Sequence, residues 1–342
     1  MAAIWHLVVW CTVHAVVSLV GAQLARGHAL RHDLLDQPGE RRSHAVPTPR
    51  GGGIGIAASW LLACGWLVLL PGADARLAAA LAGSMLCVAG IGWSDDQRPL
   101  RVSTRLVAQL VGAAIAGLGF WAATRSVPVA LVTALAVMVL VNVWNFMDGI
   151  DGLAATQGVI AALTLGALGG SATSVLLGVA LAGACIGFLP LNLPKARLFL
   201  GDVGSGAIGM GIAVLLAMAW LQQDAAGDGV PATALVLLPI AVFMVDATLT
   251  LAGRIVRGER WWTPHVGHAY QKLAARWRLH VPVTIAYGVA SVMAVVVGMS
   301  VADSVAGVRI AAFGGVLLGL VIAWAWVQSG RTAGLTAEGP SK

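Results

Sequence analysis

Asn142–Gly152 reads NVWNFMDGIDG and follows without a break on the apolar run Val127–Val141. Two carboxylates, Asp148 and Asp151, and two amides, Asn142 and Asn145, therefore stand at the rim of a segment apolar enough to cross a bilayer. An uncompensated charge at the centre of such a helix costs roughly 2.5–3.5 kcal/mol on insertion scales. The grouping, with Gly149 and Gly152 inside it, marks a polar site at a membrane–water boundary. Asp95-Asp96 is a second acidic pair, and Mg2+ is commonly held by one or two carboxylates together with substrate phosphates. Phe199-Leu200-Gly201-Asp202 followed by Gly204-Ser205-Gly206 is a glycine-rich turn opening a helix, whose first N–H groups favour an anion. His265 and His268 stand at i and i+3 behind Thr263-Pro264, a helix-start signal, and share a face if that segment is helical. Zinc would want more nitrogen or sulfur ligands than lie nearby; flanked by Arg257, Arg260 and Lys272, the two histidines read as donors to phosphate. Each group has a bland reading as a cap, a turn or a surface pair. Their joint placement is what counts.

Of 342 residues, 58% are hydrophobic and 11% charged, the composition of a polytopic membrane protein and not of a soluble fold. The net charge of +6 asks for no nucleic-acid partner, because topology accounts for the basic residues. Spans of about 20 residues predict an all-α chain of about eleven transmembrane helices. They fall near 4–23, 51–70, 77–93, 105–123, 127–145, 154–169, 173–190, 206–221, 231–252, 282–301 and 307–328. With the N-terminus outside and the C-terminus cytoplasmic, 18 of the 21 Lys and Arg residues face inward, as the positive-inside rule requires. The outer side keeps Arg76, Arg125 and Arg309. The chain then reads as one membrane-embedded domain, 1–342. Inner segments 24–50, 94–105, 146–153, 191–205 and 253–281 form the site, and 329–342 is a short tail.

Sidedness assigned from basic residues alone thus gathers the acids, amides and histidines on one face. Trp5, Trp60, Trp93, Trp121, Trp144, Trp220, Trp261 and Trp262 fall near helix ends as an aromatic belt would. Asp246 lies well inside the ninth span and should face the bundle or a water-filled cavity. His6 and His14 read as packing. Cys11, Cys64, Cys87 and Cys185 read as small buried hydrophobes, and Ile4–Val20 as a retained helix.

Taken together the segments resemble the polyprenyl-phosphate N-acetylhexosamine-1-phosphate transferase superfamily, glycosyltransferase family 4. The resemblance is carried by Asp36-Gln37-Pro38 with Arg41-Arg42-Ser43-His44 and Pro49-Arg50-Gly51-Gly52, by Asp95-Asp96 and by NVWNFMDGIDGLA. Asn192-Leu193-Pro194 leading to FLGDVGSG, and the loop TPHVGHAYQKL, complete it. Many members carry HxHH or HHH in that last motif. The form here, His265-Val266-Gly267-His268, resembles the branch that initiates O-antigen and similar surface glycans.

The resemblance implies a bacterial inner-membrane enzyme with its site on the cytoplasmic face, acting on a UDP-N-acetyl sugar and a polyprenyl phosphate lipid. Its products are a polyprenyl-diphosphate-sugar and UMP. It implies Mg2+, with Mn2+ as the substitute, on Asp202, Asp95 and Asp96, with Asp95 and Asp96 at the attacking phosphate and His265 and His268 at the diphosphate. Asn142, Asn145, Asp148, Gly149 and Asp151 would shape the nucleotide pocket. Phe199 would stack on uracil and Asn192 bond the nucleotide or sugar, while Arg42, His44 and Arg50 close the site. Direct attack is the favoured course over a covalent aspartyl intermediate. The oligomeric state is not readable. Two other readings remain open: a member specific for UDP-N-acetylglucosamine, and a secondary transporter, which would place its charges at the midplane and pair them by repeats.

Overall fold

Each of the eleven apolar runs folds into helix. The structure, a computed structural model, describes residues 2–37, 46–225, 230–260, 262, 263 and 265–330. The first helices in order are α1 (Ala2–Arg31), α2 (Ile54–Leu69), α3 (Ala75–Gln97), α4 (Val102–Thr124), α5 (Val127–Met147) and α6 (Leu153–Leu168). After them come α7 (Ala172–Asn192), α8 (Gly201–Ala225), α9 (Val230–Leu237), α10 (Ala241–Val256), α11 (Ala269–Trp277), α12 (Val281–Ser300) and α13 (Ala306–Gln328). The one sheet among the described residues is a two-residue antiparallel ribbon, β1 (Leu35–Asp36) with β2 (Thr48–Pro49), which ties the two ends of the first basic loop together. Nine helical stretches among the described residues are long and apolar enough to cross a membrane; α2 and α6 are apolar but only 16 residues long. Sixteen residues make about 24 Å of helix against a hydrocarbon core of about 30 Å. The polytopic all-α architecture follows.

Three departures from the apolar pattern bear on the site. The ninth run is not one helix: Pro239 has no N–H to give, and Leu238–Ile240 tightens into a 3-10 turn between α9 and α10. The helix expected at 206–221 begins at Gly201, which moves Asp202 from a loop into a first turn. Finally, α11 is short and carries Lys272 and Arg276, so no apolar run announces it.

Helix α8 is the axis of the bundle. Every residue from Val203 to Ala219 is buried, against α2, α3, α5, α6 and α7. Lipid is as apolar as leucine, so close helix contact in a membrane comes from small residues that admit a neighbouring backbone. Gly183 and Gly187 of α7 show this against α1: a Cβ added at either would stand 2.5 Å from Cys11 O and 2.0 Å from Ala15 O. The same device brings functional segments together. A Cβ on Gly53 would lie 2.0 Å from the Cα of Gly204, and one on Gly92 would lie 2.6 Å from the backbone of Asp202.

Two tryptophans expected in an interfacial belt are core residues instead: Trp60 and Trp144 are each 1% exposed. Trp144 donates its indole N–H to Ala154 O at 3.2 Å. Trp5 and Trp121 are exposed as a belt requires; Trp261 lies outside the described residues. His14 is buried and bonded to Ser59 Oγ at 2.6 Å, whereas His6 is exposed. All four cysteines are free.

Gly187→Ala should destabilise the protein by about 1–3 kcal/mol, the usual cost of overpacking, read as a lower thermal unfolding midpoint in detergent. Gly65→Ala, where nothing lies within 4 Å of an added Cβ, should leave the midpoint unchanged.

Candidate active site

At the basic end of the bundle the last turns of α3 and α5 meet the first turns of α4 and α8. Asp95 and Asp96 end α3, Arg105 stands in the first turns of α4, Asn142 and Asn145 near the end of α5, and Asp202 in the first turn of α8. Nη1 of Arg105 donates to Oδ2 of Asp95 at 2.9 Å and to Oδ2 of Asp202 at 2.8 Å. The other oxygen of Asp95 accepts the Leu100 N–H at 2.7 Å, and that of Asp202 accepts the Asn145 amide at 2.9 Å. Asn145 also reaches Ser205 Oγ, at 3.3 Å. A small cleft of about 20 Å³ lies here, lined by Arg105, Gln109, Asn142, Asn145, Asp202 and Ser205. Asn142 donates to Gln109 Oε1 at 2.9 Å and to Met138 O at 2.8 Å.

Asp96 has a different task. Its two oxygens accept the N–H groups of Asp202 at 2.9 Å and Val203 at 3.1 Å. It is 8% exposed, and a side chain at Gly201 would strike it, with Oδ2 2.5 Å from the added Cβ. The anion expected at the start of α8 is therefore supplied by the protein: the helix terminus does not point two free N–H groups at phosphate. Among the three expected ligands, Asp95 and Asp202 turn an oxygen toward a common point while Asp96 faces the backbone of α8.

The DGIDG turn that follows α5 is gripped from two sides. Asn192 accepts the Gly152 N–H at 2.6 Å and donates to Leu198 O at 2.9 Å, so its amide is spent on backbone groups. Gly152 has φ +72°, a left-handed conformation that glycine adopts without steric cost. Nδ1 of His280 lies 3.1 Å from Oδ2 of Asp151 and 3.4 Å from its backbone nitrogen, and Thr284 Oγ1 donates to Asp151 O at 2.8 Å. At Gly149 an added Cβ would lie 2.2 Å from the hydroxyl of Tyr270, which donates to Phe146 O at 3.0 Å. Asp148 caps the end of α5 and has no salt bridge among the described residues. Burial first, then the neighbouring charges of Asp202, Asp96 and Asp151, push its carboxyl up to about 8.

His265 and His268 do not share a helix face. Helix α11 starts only at Ala269, and Pro264 lies outside the described residues. The rings nevertheless stack, with centroids 4.9 Å apart, and His268 stacks on Tyr270 at 5.8 Å and Phe146 at 6.3 Å. Asp246, buried as its depth demanded, accepts the N–H groups of Ala269 at 2.8 Å and Tyr270 at 3.2 Å, and the Tyr287 hydroxyl at 2.7 Å. Its Oδ1 lies 3.6 Å from Nδ1 of His268. Gln328, at the end of α13, donates to Gly267 O at 2.9 Å and so fixes the loop between the histidines.

Arg50 pairs with Asp36 across the β ribbon. Beside it Phe199 N–H donates to Pro49 O at 2.8 Å, and Gly52 and Gly53 donate to Phe199 O and Leu200 O. The first basic loop is thereby zipped onto the segment that leads into α8, and half-buried Phe199 sits in the zipper. Arg42 and His44 lie outside the described residues.

Sequence reasoning overlooked Arg105, which it counted only as positive-inside charge. Its signal was Gln109, four residues on: two polar side chains one turn apart on an apolar helix share a face. His280 and Tyr270 carried no such mark.

The donor set suits a hard divalent cation. Asp95 and Asp202 offer carboxylate oxygens of the kind Mg2+ and Mn2+ take. No group of three or more His, Cys, Asp or Glu side chains gathers among the described residues, so phosphate and water would complete the shell. Asp96→Ala should lower stability by about 1–2 kcal/mol through the lost cap, seen in thermal unfolding. Asp95→Asn, which keeps an acceptor for Leu100 but gives up one charge of the pair with Arg105, should lower the unfolding midpoint by less than Asp96→Ala does.

Residues 78–220, from α3 into α8, match the family described as glycosyl transferase family 4. A decaprenyl-phosphate N-acetylglucosaminephosphotransferase of Mycolicibacterium smegmatis is 32% identical, over 81% of this chain and 80% of its own length. A probable undecaprenyl-phosphate N-acetylglucosaminyl 1-phosphate transferase of Bacillus subtilis is 26% identical over 79% and 78%. A phospho-N-acetylmuramoyl-pentapeptide-transferase of Thermosynechococcus vestitus is 33% identical over 58% and 60%. With Asp95, Asp148, Asp151 and Asp202 all inside the matched stretch, this chain belongs to glycosyl transferase family 4.

Proposed function

We propose that this chain moves an N-acetylamino-sugar 1-phosphate from a UDP-sugar to a polyprenyl phosphate, giving polyprenyl-diphosphate-sugar and UMP as the first membrane step of a bacterial surface polysaccharide. The observation that carries the reading is the pair Asp95 and Asp202, each turning one oxygen to the same nitrogen of Arg105 in a cleft at the membrane boundary. Relatives named for the same transfer, two of them with N-acetylglucosamine, support it. The sidedness of the basic residues supports an active site on the cytoplasmic face of the inner membrane, with the N-terminus outside.

Transfer of a phosphoryl group demands mainly position and charge neutralisation. Mg2+ held by Asp202 and Asp95 would supply the charge that lets two anionic substrates approach. Asn145 orients Asp202, and Arg105 with the stacked His265 and His268 offers donors to the diphosphate. Asp148, Asp151 and Phe199 border the space for the nucleotide. No strong base is needed: a phosphate monoester has a second pKa near 6 and is mostly dianionic at pH 7. Asp95 and Asp96 therefore act without taking a proton, Asp95 by charge and Asp96 by fixing the start of α8. Direct attack of the lipid phosphate on the β-phosphorus is the course we favour over a covalent aspartyl intermediate.

A second donor class, modified or 6-deoxy amino sugars, is favoured by Gly267 standing where many members have histidine. Membranes given Mg2+, undecaprenyl phosphate and single UDP-sugars should release UMP with one donor. UMP from none of them, with sugar taken up into vesicles, would speak for a transporter. Asp202→Asn should cut UMP release by about 10²–10³-fold in a protein that still unfolds cooperatively; activity like that of the parent would remove Asp202 from the cation. Gly267→His tests the loop: a changed donor preference means that it reads the sugar, a changed rate alone that it reads phosphate.

A further inference from the structure

Two carboxylates of the cleft share one nitrogen of Arg105, and every other oxygen they own is engaged elsewhere, on Leu100 and Asn145. Two carboxylates and one guanidinium sum to a single net negative charge. A cleft in that state repels phosphate. A divalent cation at the same point would neutralise both acids at once. Mg2+ holds oxygen at about 2.0–2.1 Å, so each carboxylate would close in by roughly 0.8 Å from its present nitrogen contact. The guanidinium would then be surplus, and the three side chains plus the cation would carry a net positive charge.

We propose that Arg105 is a resident counter-cation: without metal it occupies the point between Asp95 and Asp202 that a divalent cation takes, and the cation frees it to meet an anionic phosphate. The residue is built for the exchange. A guanidinium stays charged at every relevant pH and binds carboxylate and phosphate in the same forked manner. The side chain is 30% exposed, grows from the first turns of α4 and lines the open cleft, so it has somewhere to swing. A fixed structural tie would be better served by closing both acids around it in the core. The device makes cleft charge a consequence of cation binding, so that cation precedes or accompanies phosphate. The inference rests on the cation-assisted transfer proposed above.

The test uses full-length protein in detergent, stripped of divalent ions, with Mn2+ alone as probe. Free Mn2+ is followed by electron paramagnetic resonance and stability by thermal unfolding. Arg105→Met and Arg105→Gln should bind Mn2+ at least about tenfold more tightly than the parent, since a like charge has left the site. Both should unfold at lower temperature without Mn2+ and recover the parent's midpoint at saturating Mn2+, while Asp202→Asn should lose the site. Equal or weaker Mn2+ binding by both variants overturns the proposal and leaves the metal reading intact. So does failure of both to fold with and without Mn2+, which would make Arg105 a structural tie. No Mn2+ binding by parent or variants, or undiminished binding by Asp202→Asn, overturns the metal reading and this proposal together.

Discussion

Carboxylates that cap a helix other than their own hold this site in place. Asp96 at the end of α3 takes two N–H groups in the first turn of α8, those of Asp202 and Val203, and Asp246 inside α10 takes the first two of α11. A helix start buried near a membrane cannot rely on water for its orphan donors, and a carboxylate there gains from the helix dipole as well. Each cap also fixes an angle. With Asp96 on α8, Asp202 is delivered to the same end of the bundle as Asp95. With Asp246 on α11, His268 is laid against Tyr270 and Phe146. The acids that look interchangeable in the sequence thus divide into those that fasten and those that face the cleft.

That division explains how so many like charges coexist. Asp148 shows what crowding does, its carboxyl pushed up to about 8 by burial and by Asp202, Asp96 and Asp151. Elsewhere each acid has a specific answer: two N–H groups for Asp96, a shared guanidinium for Asp95 and Asp202, and His280 for Asp151. The negative charge left on the cleft is what a bound divalent cation would offset.

The polytopic fold was legible because apolar runs and basic loops are written in one dimension, and each run became a helix. The acidic half of the site was legible for a related reason: charge beside a membrane span is expensive enough that its position alone is informative. What the sequence concealed is pairing across the bundle. Nothing near Asp96 says that it will face backbone, and nothing near Arg105 names Asp95 or Asp202, which lie 10 and 97 residues away. Trp60 and Trp144 misled because a tryptophan near a helix end fits both a belt and a core, and only packing decides. The histidines lie before α11 and not within it: the helix starts at Ala269, where Asp246 from another helix takes its first N–H groups.

Hydrogen bonds tie the two sides of the site to each other. Tyr270 of α11 donates to Phe146 O, Thr284 and His280 of the α12 start hold Asp151, and Tyr287 of α12 reaches the same Asp246 that caps α11. The histidine loop is further pinned at Gly267 by Gln328. The DGIDG turn is in turn fastened by Asn192 to the segment before α8, and that segment is zipped to the first basic loop. A shift of the histidines therefore cannot occur without straining the turn that carries Asp148 and Asp151, and through it the approach to Asp202. In such a lattice a side chain added at Gly149 or Gly267, 2.2 Å from the Tyr270 hydroxyl or 3.2 Å from His265 Nδ1, would be felt by the neighbouring segments and not absorbed locally.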